Sequence, residues 1–124
     1  MKNFQNTLEE VSEIIQEYEN SEPSINDLML WKRLLFGKLY FLKSQEVEYK
    51  KLHDKTFLNS KGLKQENGKF YTDDTSKSYS NTQVPEYNLL HTLNKVIEST
   101  CISIQQDIKE YQQQEINSRF DGQT

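Results

Sequence analysis

Between residues 49 and 64 the chain carries Lys50, Lys51, Lys55, Lys61 and Lys64, with Tyr49 and Phe57 among them and Phe70 and Tyr71 just beyond. Cations neutralise a phosphate backbone and aromatic faces stack on unpaired bases, so this is the mixture that single-strand nucleic-acid binders use. A plainer reading stands beside it: lysine covers the solvated side of any long helix, and Tyr49 and Leu52 also fit a buried stripe. Charge segregation weighs against the plainer one. Residues 28–64 hold nine cations and three acids, a balance of +6, in a chain of net charge −4. A merely soluble helix surface does not require that excess. Residues 1–27 hold seven acids against Lys2, a balance of −6. Opposed blocks predict an acidic segment lying across the basic one, or copies pairing head to tail.

Other chemistry is thin. His53 and His91 stand alone, without a second histidine at i, i+4 or a glycine-flanked serine nearby, so no catalytic site is expected. A hairpin would bring the two histidines toward each other near its loop, but a metal pair there would lack two further ligands, and surface or interface histidines are the expectation. Asp73-Asp74 reads as solvated turn chemistry. The four glycines form no phosphate-cradling loop, which excludes nucleotide binding of the Walker or Rossmann kind. Cys101, the one cysteine, falls in an apolar stripe beside Ile97 and Ile104 and reads as a buried small hydrophobe. Neither a cofactor nor a metal nor an enzymatic activity is expected.

The elements that must position these residues are helical. Thr7-Leu8-Glu9-Glu10 has the form of a capping box, and Leu8, Val11, Ile14, Ile15 and Tyr18 recur at helical spacing, predicting a short acidic helix over 7–19. Ser24-Ile25-Asn26-Asp27 repeats the start signal, and from there to Asn59 there is no proline and one glycine, Gly37. A single helix over 25–59 follows, roughly 50 Å long at 1.5 Å per residue, which makes an elongated molecule. Leu28, Trp31, Leu35, Leu39, Leu42, Tyr49 and Leu52 form its apolar stripe. Residues 60–84 are a long polar connector with a turn signal at Asn67-Gly68; Phe70, Tyr71 and Tyr79 make it too aromatic for plain disorder, so a small hairpin, a short packed turn or ordering on binding are all open. Pro85 suits a helix first turn, and Leu90, Leu93, Ile97, Cys101, Ile104, Ile108 and Tyr111 carry a second long helix over 85–120, with residues 121–124 as stop and tail.

Two amphipathic helices of similar length joined by one connector pack antiparallel most economically. The expected class is all-α: one helical domain over 1–124, a long hairpin with a short helix in front. With 34% hydrophobic residues and a mean hydropathy of −0.89, copies or a partner would help complete its core. No apolar run suits a membrane span or a signal peptide, so the expected location is the cytoplasm.

The layout resembles the UvsY-type recombination mediators of T-even-like phages. The resemblance rests on Leu8-Glu9-Glu10-Val11, on Tyr49-Lys50-Lys51-Leu52-His53-Asp54-Lys55-Thr56-Phe57 before the turn Ser60-Lys61-Gly62, and on Arg119-Phe120-Asp121-Gly122. Phe57 stands where the family pattern has an arginine, and Asn59 and Ser60 replace its usual aromatics. The resemblance implies a non-enzymatic accessory protein that binds single-stranded DNA, assembles as a homo-oligomer and works with a recombinase or a single-strand binding protein in a phage-infected cell. Lys50, Lys51 and Lys55 are the positions onto which the strand contact carries over. The alternative is a protein-binding module, an inhibitor or adaptor of another protein, docking through its acidic first helix or its aromatic connector.

Overall fold

The computed structural model describes residues 2–121, with side chains over 5–119. Met1 and the expected tail over 122–124 lie outside the described residues. Four helices follow one another: α1 (Lys2–Asn20), α2 (Ile25–Ser60), α3 (Asp73–Gln83) and α4 (Pro85–Asp121). No strand forms among the described residues, and α2 and α4 pack together as an all-α hairpin. No described helix is long and apolar enough to cross a membrane.

Two of the start signals act as expected. Ser24 Oγ accepts from Asp27 N at 3.2 Å while Asp27 Oδ2 accepts from Ser24 N at 3.1 Å, a reciprocal cap on α2. Pro85 is the first residue of α4. Thr7 does not cap α1: the backbone upstream of it contains neither proline nor glycine and is already helical from Lys2.

The chain forms two compact units, the first from Met1–Tyr40 and Lys95–Thr124, the second from Phe41–Asn94. In the first, α2 buries Leu28, Trp31, Leu35 and Leu39, α4 buries Ile97, Cys101, Ile104 and Ile108, and α1 adds Val11 and Ile14. The α4 positions step by four and three residues, the spacing of a knobs-into-holes seam. Burial pushes the Cys101 thiol above its ordinary pKa, with the charge of Glu98 adding to the effect, so the sulfur is an inert part of this core.

In the second unit the same stepping continues on polar residues. Leu42 and Tyr49 keep one line of the seam, but the other runs through Glu46, His53 and Ser60 and meets the buried Asn94. Leu52, expected in the stripe, is 49% exposed, because the heptad places His53 and not its neighbour inward.

The connector expected over 60–84 contains a whole helix, α3. A tight turn comes first: Lys64 and Phe70 form an isolated antiparallel bridge, Gln65 N donates to Lys69 O at 2.7 Å, and Gly68 takes φ +80°, a conformation side-chain-bearing residues rarely adopt. Thr72 and Thr75 then make a capping box that opens α3. Asp73 and Asp74, expected in a solvated turn, sit in the first turn of this helix, where carboxylates suit the helix dipole. The face that α3 buries consists of Ser76 and Ser80.

Candidate nucleic-acid interface

The candidate residues all belong to the second unit, on or just beyond the C-terminal half of α2. Lys50, Lys51 and Lys55 are exposed. Lys51 and Lys55 are one turn apart, facing away from the seam of Glu46, His53 and Ser60, while Lys50 points about 100° round from Lys51. Lys51 Nζ is 3.5 Å from Glu48 Oε1, an exposed pair that contributes little. Lys50 and Lys55 make no ion pair among the described residues.

The turn after α2 joins cations to rings. Ser60 Oγ donates to Phe57 O at 2.8 Å, Leu63 N donates to Ser60 O at 3.1 Å, and Gly62 at φ +85° lets the chain turn back. Lys61 is thereby set one turn beyond Phe57, with Nζ 4.7 Å from the ring centroid. Across the tight turn, Lys64 Nζ lies 5.5 Å from the centroid of Phe70, a ring that is 62% exposed. Both are cation–π contacts with the cation open to water. Lys61 also reaches Asp73 Oδ1 at 2.8 Å, so α3 brings a carboxylate up to the basic end and part of the local positive charge is neutralised there.

Tyr49 is half-buried in the seam. Phe57 is half-buried beneath Lys61. Tyr71 and Tyr79 pack together with centroids 5.5 Å apart, which accounts for the aromatic content of the connector: the pair joins the tight turn to α3. Phe70, just beyond the basic run in sequence, is the most exposed of these rings and the candidate stacking face.

The two histidines do not meet. Tyr87 stands between them, its ring 5.2 Å from that of His53 and 6.0 Å from that of His91. His53 Nε2 is 2.8 Å from Asn81 Oδ1, and His91 Nδ1 is 3.3 Å from Glu46 Oε2. Asn94 Nδ2 donates to Glu46 Oε1 at 2.9 Å. These contacts make a polar seam. Among the described residues no group of three or more histidine, cysteine or acidic side chains is placed to hold a metal ion.

No protein-family model, curated protein or solved structure matches the chain.

Proposed function

We propose that this chain binds single-stranded nucleic acid, without catalysis, through the basic end of its second unit. The observation that carries the reading is the pair of cation–ring contacts, Lys61 with the half-buried Phe57 and Lys64 with the exposed Phe70, beside Lys50 and Lys55, which make no ion pair among the described residues. Each sets a cation beside a ring, and the open face of Phe70 can stack on a base of any sequence. Lys50, Lys51 and Lys55 supply further phosphate contacts whose strength falls with salt. One such site is weak, and assembly of copies along a strand multiplies it. The resemblance to UvsY-type mediators supplies the context: an oligomeric accessory protein that helps load a recombinase onto single strands coated by single-strand binding protein, in the cytoplasm of a phage-infected cell.

The test is the anisotropy of a labelled oligothymidine across a salt series, with light-scattering mass measured on the same samples. Binding that steepens at low salt, falls in the Lys50, Lys51, Lys55 to alanine triple variant and falls again with Phe70→Ala supports the reading. A strict monomer that leaves the strand free at low salt ends it.

A further inference from the structure

In the first unit, the helical pair of α2 and α4 has one flank filled and one open. On the filled flank α1 buries Val11 and Ile14. Tyr18 packs edge-on to Trp31 with centroids 6.3 Å apart and donates to Asp107 Oδ2 at 2.6 Å, and Lys38 pairs with Glu10. An acidic amphipathic helix is thus held on this scaffold by an apolar stripe and a glutamate–lysine contact.

The open flank is a groove of about 440 Å3 lined by Met29, Lys32, Arg33 and Phe36 from α2 and by Ile108 and Gln112, among others, from α4. Met29 and Phe36 lie roughly 140–180° around α2 from Trp31 and Lys38, so this is the side turned away from α1. Met29 and Phe36, each about half exposed, give it an apolar wall over the buried Ile108; Lys32, Arg33, Gln105 and Gln112 make the rest of the lining, and none of the lining residues is acidic. Lys32 Nζ stands 5.9 Å from the Phe36 centroid, and neither Lys32 nor Arg33 makes an ion pair among the described residues.

We infer that this groove receives an acidic amphipathic helix of a partner protein, with apolar side chains on Met29, Phe36 and Ile108 and carboxylates beside Lys32 and Arg33. Charge selects the occupant. The same face of a second copy would bring Lys32 and Arg33 against their own kind, and like charges across an interface are costly. An acidic helix answers both features at once, as α1 does on the opposite flank, and grooves between helices take such helices through anchors spaced by three and four residues. Every group involved lies in the first unit, so this inference stands apart from the strand-binding reading.

The experiment uses the full chain with its methionine methyls labelled; there are two methionines, Met1 and Met29, and Met29 reports on the groove. The probes are two stapled helical peptides sharing one leucine stripe, flanked in one by glutamates and in the other by lysines. The acidic peptide is expected to bind and shift the Met29 methyl resonance, and the basic one to do neither. Lys32→Glu with Arg33→Glu should weaken the acidic peptide at least about tenfold and admit the basic one. Lys95→Glu, beside α1 at Tyr18 and Glu19, should change nothing. If the double reversal fails to fold, judged by helicity and Trp31 fluorescence, Lys32→Gln with Arg33→Gln carries the same test. Equal binding of both peptides, acidic binding that survives the substitutions, or a Met29 shift that tracks protein concentration without peptide would each overturn the inference, the last by making a second copy the occupant.

Discussion

The Tyr18 hydroxyl donates to Asp107 Oδ2 at 2.6 Å, fastening α1 to α4 beside the one tryptophan of the chain, Trp31. Burial raises the phenol pKa, and the hydrogen bond to Asp107 and the negative charges of Asp107 and Glu110 raise it further, to about 12. The folded state therefore favours the neutral phenol. That stability is fully present below pH 10, the ordinary value, and is lost as the pH rises from 10 to about 12. Tyr18→Phe should cost about 1–2 kcal/mol at neutral pH, the low end for a hydrogen bond to a charged acceptor because this one is only part-buried. The difference from wild type should close across that alkaline window. Urea unfolding followed by Trp31 fluorescence reads both; a gap that stays constant to pH 12 would show that Asp107 does not govern the titration.

Gly37 lies within α2, exposed, and a Cβ built on it meets nothing within 4 Å. Glycine in a helix interior costs about 0.5–1 kcal/mol relative to alanine, chiefly through the freedom of the unfolded chain. Gly37→Ala should recover that amount, read as a higher urea midpoint at unchanged slope. A loss of stability would mean that α2 needs a bend at this position that a regular helix lacks.

How far these features were legible depended on whether burial was apolar. The long helices announced themselves because Leu28, Leu35, Ile97 and Ile104 repeat at seam spacing and are buried. The helix α3 stayed hidden because its inward residues are Ser76 and Ser80, which no hydrophobic periodicity can reveal; the signal on offer was Thr72 with Thr75 ahead of two aspartates, a capping pattern inside a polar stretch. The seam of the second unit was misread at Leu52 for the same reason, since Glu46 and His53 occupy the inward line. The lysines of the candidate interface were plain in the sequence. Their pairing with Phe57, Phe70 and Asp73 was not, because it depends on two positive-φ glycines and on α3 returning to the end of α2.

That polar seam has a measurable consequence. Asn94 is 3% exposed and gives its amide to Glu46, while its own Oδ1 has no partner among the described residues. Glu46→Leu should destabilise the fold by about 2 kcal/mol, because it leaves a buried amide donor unpaired. Glu46→Leu combined with Asn94→Leu should recover most of that loss, since an apolar pair replaces a partly satisfied polar one. A double-mutant cycle in urea checks the coupling; additive losses would mean that the two residues do not depend on each other.

The ion pair between Lys61 and Asp73 makes a prediction about strand binding that runs against simple loss of function. Lys61 faces the Phe57 ring but is also held by Asp73 at 2.8 Å, so this cation is partly neutralised before any phosphate arrives. Asp73→Asn removes the charge and keeps a polar side chain in the first turn of α3, where Thr72 and Thr75 still provide the cap. The variant should bind oligothymidine more tightly at low salt, and its slope of log affinity against log salt should steepen by about 0.7, one added phosphate contact on a single strand. Glu86→Gln, which removes a charge from the first turn of α4 instead, controls for the change in net charge. If both substitutions raise affinity equally, the effect is the general field of the protein and Lys61 has no place at the strand. If Asp73→Asn alone does so, the cation over Phe57 is a phosphate contact, and Lys61→Ala in that background should abolish the gain.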